Sequence, residues 1–183
     1  MGQAEKQSLH VEKFGENLSL FAINRDDLKE LINSIPKNNN LNLTTIEYEL
    51  QILKIISVGW AISFYMPETD KNKKKISQVY WSYIRDISKN ISNLTGVTTG
   101  QEIDYFEVLK QRLDLYVNVL QKAENSANIS TIIGLNFAKL CNSPEDAMAI
   151  LTGTKMFTFT IGGIKEYLDA VNIIENKEKH DEN

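Results

Sequence analysis

Apolar residues recur at spacings of three and four along most of the chain, which is the mark of helices that bury one face. Leu28, Leu31, Ile32 and Ile35 predict a helix that starts at Asp26 or Asp27 and stops at Pro36. A longer helix opens at Thr44-x-x-Glu47, a capping-box pattern, and is closed by Pro67. Ile46, Leu50, Leu53 and Ile56 hold one face of its first half, and from Ile55 to Met66 it is uncharged all round. A helix spanning a membrane needs about 20 apolar residues, so this shorter run reads as the centre of a protein core and no transmembrane segment is expected. Gly59 lies inside that run, where close approach of another helix would account for it.

A third helix is predicted from Asp70 to Leu94, with Ile76, Tyr80, Tyr83, Ile87, Ile91 and Leu94 inward and Gly96 as its stop. Thr99-x-x-Glu102 predicts the start of a fourth, reaching Ala123 with Phe106, Leu109, Leu113, Val117 and Leu120 inward. After a break near Asn125-Ser126, Ile129 to Cys141 reads as a further helix. Ser143-Pro144-Glu145-Asp146 carries the features of a helix start, and that helix is expected to end near Gly153. Two segments are ambiguous between strand and helix. Residues 14–23 alternate at Leu18, Leu20 and Ala22, and both conformations stay open there. Residues 155–161 alternate too, but Phe157, Ile161, Ile164, Leu168 and Val171 form a longer helical series, so helix is expected.

The elements add up to an all-α fold, a single-domain antiparallel bundle of four to five main helices with short satellites. The domain is expected to cover residues 11–174, with a disordered tail at 1–10 and a charged tail at 175–183. The length, 183 residues, suffices for a core without disulfides or metal.

Composition narrows the function classes. The net charge of −4 argues against nucleic-acid binding through phosphate neutralisation, and against a polybasic membrane anchor. One cysteine, Cys141, and a polar N-terminus without an apolar signal region point to a reducing, cytoplasmic location. The only histidines, His10 and His180, fall in the expected tails. That leaves the domain without imidazole for a catalytic triad, a di-iron bundle or a zinc site, and no phosphate-binding glycine motif is present. No cofactor is expected.

The polar residues that break the apolar pattern are the remaining candidates. At about 100° per residue, Glu49 falls among Ile52, Leu53, Ile56 and Trp60. Arg112 falls among Tyr105, Val108, Leu115, Tyr116 and Val119. A lone buried charge is costly, so Glu49 and Arg112 are expected to pair across two helices, with Tyr105 or Tyr116 completing the hydrogen bonds. Such a pair either fixes helix register or lines a pocket in which Arg112 binds an anion and Glu49 acts as base or ligand. Trp81 and Arg85 lie opposite the apolar stripe of the third helix. They read either as an interaction surface or as a second packing face. Lys71, Lys73, Lys74 and Lys75 read as a solvated charge run.

Two functions follow. The first is a non-enzymatic, acidic interaction protein of adaptor, immunity or regulatory type, with a protein partner or self-association. The alternative is a small helical-bundle enzyme or ligand-binding protein with a Glu/Arg/Tyr pocket between helices.

Overall fold

The computed structural model describes residues 6–37, 40–122 and 128–174. The fold is all-α, with seven helices and one two-stranded sheet among the described residues. The helices are α1 (Val11–Ile23), α2 (Asp26–Asn33), α3 (Leu43–Tyr65), α4 (Lys71–Thr99), α5 (Tyr105–Lys122), α6 (Ile129–Leu140) and α7 (Ala147–Ala170). Short loops reverse the chain between α3 and α4, between α4 and α5, and between α6 and α7. The break expected near Asn125-Ser126 and the tail at 175–183, with His180, lie outside the described residues.

Helix α3 is central from Ile46 to Ile62, whereas Phe64 and Tyr65, late in its uncharged run, are exposed. Leu53, Ile56, Val58, Ala61 and Ile62 are buried. Helix α7 runs alongside it, with Phe157 packed edge-on against Trp60 at 6.0 Å between centroids. Close helix contacts occur where glycine removes the side chain. A Cβ on Gly59 would stand 2.5 Å from the Trp81 ring, and one on Gly153 would stand 2.6 Å from the Phe137 ring. Helix α7 is long and apolar enough to cross a membrane, a test that a core helix passes equally. Here its Met156, Phe157, Thr160 and Ile164 are buried in the protein.

Several boundaries differ from the sequence reading, and at three helix starts the reason is that another polar side chain reaches the free helix N–H groups. Asn42, not Thr44, caps α3 by accepting from Thr45 N at 3.1 Å. Asp104 replaces the Thr99 box, accepting from Phe106 N and Glu107 N at 3.0 Å. Asp146, not Ser143, caps α7. Helix α4 passes through Gly96 to Thr99 and ends at Gly100, whose φ of 70° is the left-handed conformation that glycine tolerates. Residues 147–170 form one continuous helix with Gly153 inside it. Residues 14–23 are helical, because Val11, Phe14, Leu18 and Ala22 bury one face over a longer range than the local alternation.

The expected tail at 1–10 is corrected for residues 7–10. Gln7–His10 (β1) pairs in parallel with Val171–Ile174 (β2), Gln7 opposite Val171 and His10 opposite Ile174. The two strands continue α1 and α7, which are held together where Phe14 stacks on Tyr167 at 5.0 Å and Asn17 Nδ2 donates to Tyr167 Oη at 2.9 Å. Val171, expected on the helical series, is the first residue of β2.

Candidate functional site

Glu49 on α3 and Arg112 on α5 form the predicted pair. Arg112 Nε donates to Glu49 Oε2 at 3.0 Å and Nη2 donates to Oε1 at 2.7 Å, a two-pronged arrangement suited to the planar guanidinium. The pair is asymmetric in burial, with Glu49 3% exposed and Arg112 26% exposed. The carboxylate therefore depends on the arginine, while the arginine keeps access to water. The carboxylate in turn raises the Arg112 pKa.

The two tyrosines divide. Tyr116 is fully buried beside the pair and packs edge-on against Trp60 at 6.2 Å. Its hydroxyl has no hydrogen-bond partner, so it does not complete the ion pair as expected. Burial, with the nearby Glu49 charge, pushes its pKa up. Tyr105 sits at the start of α5, and its hydroxyl accepts from Thr95 Oγ1 at 3.5 Å. Its N–H donates to Ser92 Oγ at 3.1 Å, and its ring meets Tyr48 edge-on at 6.4 Å. Cys141 caps the end of α6, and burial with the Glu49 charge pushes its thiol up to about 12.

Of the two readings of Trp81 and Arg85, the second packing face describes the indole. The Trp81 indole lies over Gly59 of α3 and edge-on to Tyr80 at 5.0 Å, so its own chain partly covers it. Arg85 is exposed and reaches Ser82 and Asp86 rather than the indole. The reason lies in the path of burial along α4. The buried residues Ile76, Tyr80, Ile84 and Ser88 are spaced by four. Each step of four advances about 40° around a helix of 100° per residue. The buried line thus turns toward Trp81 and leaves the predicted stripe. Tyr83 and Ile91 are exposed as a result, and Leu94 is 65% exposed.

Where the stripe leaves the core, a cavity opens between α3, α4 and the start of α5, with a volume of about 470 Å³. Its walls are mainly Ile52, Ile55, Ile84, Ile87, Ile91 and Leu109. Tyr48 and Tyr105 also line it, together with Arg25 and Glu47, which are ion-paired with each other. Gln51 borders it too; its Nε2 donates to Ala22 O at 2.7 Å, and its buried Oε1 has no donor. Neither Glu49 nor Arg112 reaches this cavity. The pocket and the polar pair are separate features on different faces of α3.

Sequence reasoning missed Lys54, which the pattern assigns to the polar side of α3. Its side chain is 1% exposed. Nζ donates to Asn24 O and to Asp27 at 2.8 Å and lies 4.4 Å from the Phe21 ring centroid. Helix α2 covers that face, and periodicity within α3 carries no signal for it. In the basic run, Lys73 pairs with Glu68 and Lys75 with Glu12. Among the described residues, no three His, Cys, Asp or Glu side chains gather as metal ligands. No known family model, curated protein or solved structure matches the chain.

Proposed function

We propose that this protein works by binding another protein or a second copy of itself, as adaptor, immunity and regulatory proteins do, rather than by catalysis. The surface we assign to that role is the C-terminal half of α4, not the face of Trp81 and Arg85. One observation carries the reading. Ile91, Leu94 and Val97 are 45%, 65% and 87% exposed, and they continue the helical stripe whose first residues are in the core. They lie within about 120° of the helix circumference, the spacing by which an amphipathic helix presents anchors to a partner. Scattered exposed apolar residues are ordinary, whereas a row in register on one helix is the feature of an interface. The reading includes a cytoplasmic setting and, with a net charge of −4, no nucleic-acid partner.

The alternative of a reactive or ligand-binding pocket at Glu49 and Arg112 has less support, because the pair satisfies itself and lies apart from the cavity. The test of the proposal is a comparison of the wild type with the double variant Leu94→Ser/Val97→Ser. Sedimentation reads self-association and affinity capture reads a partner. The wild type is expected to associate and the double variant to lose association at unchanged helicity. Equal behaviour of the two proteins would refute the assignment of this face.

A further inference from the structure

We propose that the cavity between α3, α4 and α5 is a binding site for a neutral, largely apolar small molecule that carries one hydrogen-bonding group. The cavity adjoins the partner surface proposed above at Ile91 but takes a different ligand class, and its test reads small-molecule binding rather than association.

Size is the first argument. A volume of about 470 Å³ lies within the roughly 300–1,000 Å³ range of pockets that hold small organic ligands. Wall chemistry is the second. Isoleucines from α1, α3 and α4 and Leu109 from α5 supply the apolar lining. Polar groups are few: Gln51, whose buried Oε1 has no donor, lines the wall with Thr44, Tyr48, Ser88 and Tyr105. A ligand hydroxyl or N–H matches this inventory.

Charge decides between a neutral and an ionised ligand. The charged residues of the lining are Arg25 and Glu47, and each neutralises the other. A carboxylate sunk between the isoleucines would stay unpaired, and burying an unpaired charge is strongly unfavourable. A fatty alcohol or a neutral aromatic amine avoids this cost, whereas a fatty acid anion does not.

The test uses N-phenyl-1-naphthylamine, a neutral fluorescent probe with one N–H group, titrated into the full chain. Saturable binding at one site per chain is expected, with displacement by 1-decanol. Decanoate is expected to displace the probe at concentrations at least about tenfold higher. Ile87→Trp fills the cavity and is expected to weaken probe binding by about tenfold or more, as overpacking does. Phe159→Ser, an exposed position on α7 away from the cavity, is expected to leave it unchanged. Ile91→Trp, at the exposed rim, gives a second blocking variant should Ile87→Trp melt early. Absence of saturable binding by the folded wild type would overturn the site. Unaltered binding in the folded blocking variants would do the same. Equal displacement by decanol and decanoate would overturn the ligand class.

Discussion

At Glu49 and Arg112 the unequal burial of two partners sets the consequence of losing either. Arg112→Met strands a carboxylate that is 3% exposed, and breaking a buried pair in this way costs about 3–5 kcal/mol. Glu49→Gln leaves an arginine that can turn to water, so the loss is expected to be smaller. Urea unfolding of the two variants measures the difference, and equal losses would mean that Arg112 is as tightly confined as Glu49. A second prediction concerns alkaline pH. Burial pushes the folded thiol of Cys141 up to about 12, above the ordinary 9.0, so the unfolded chain ionises first as pH rises. The contribution of this group is whole below pH 9.0 and is lost as pH climbs from there toward about 12. Buried Tyr80 and Tyr116, also shifted upward, act in the same direction. Thermal melts between pH 8 and 11 should show a falling midpoint, with a shallower early slope in Cys141→Ala.

At the scale of elements, helix propensity and helix packing oppose each other at glycine. Inside a helix, Ala is favoured over Gly by about 1 kcal/mol where nothing else intervenes. Gly162 on α7 has no atom within 4 Å of a built Cβ, so Gly162→Ala should raise the melting temperature. Gly134 on α6 faces α7, where a Cβ would stand 2.5 Å from the Ile150 carbonyl oxygen and would also collide with Thr154. Backbone cannot move aside cheaply, so Gly134→Ala should destabilise by about 1–3 kcal/mol despite the better propensity. Paired thermal melts of the two variants check this, and a stable Gly134→Ala would mean that α6 and α7 slide apart freely. Element boundaries follow a similar competition. Thr44, Thr99 and Ser143 all stand in patterns that cap helices, yet Asn42, Asp104 and Asp146 do the capping. Neighbouring side chains of equal capping ability are not ranked by pattern alone.

At the scale of the molecule, β1 and β2 tie the two ends of the described chain together beside α1 and α7. Leu9 and Ile173 pack partly against the core. Removing residues 1–10 should therefore lower unfolding free energy by on the order of 1–2 kcal/mol, from lost apolar burial, with helical circular dichroism retained. An unchanged denaturation midpoint would show that the sheet contributes nothing.

Periodicity, proline and glycine were enough to determine the helical class, the central place of the helix that holds Ile55–Ile62 and the meeting of Glu49 with Arg112. These are local consequences of which positions are apolar, and of the cost of leaving a charge alone in a core. The tertiary structure alone decided what covers each face. It placed α2 over Lys54, laid Trp81 on Gly59, and left Ile91, Leu94 and Val97 in the open. It separated the cavity from the polar pair and joined Gln7–His10 to Val171–Ile174. The physical reason is that a helix carries its own apolar arc in its sequence, whereas the angle at which it crosses a neighbour arises from packing between segments far apart in the chain.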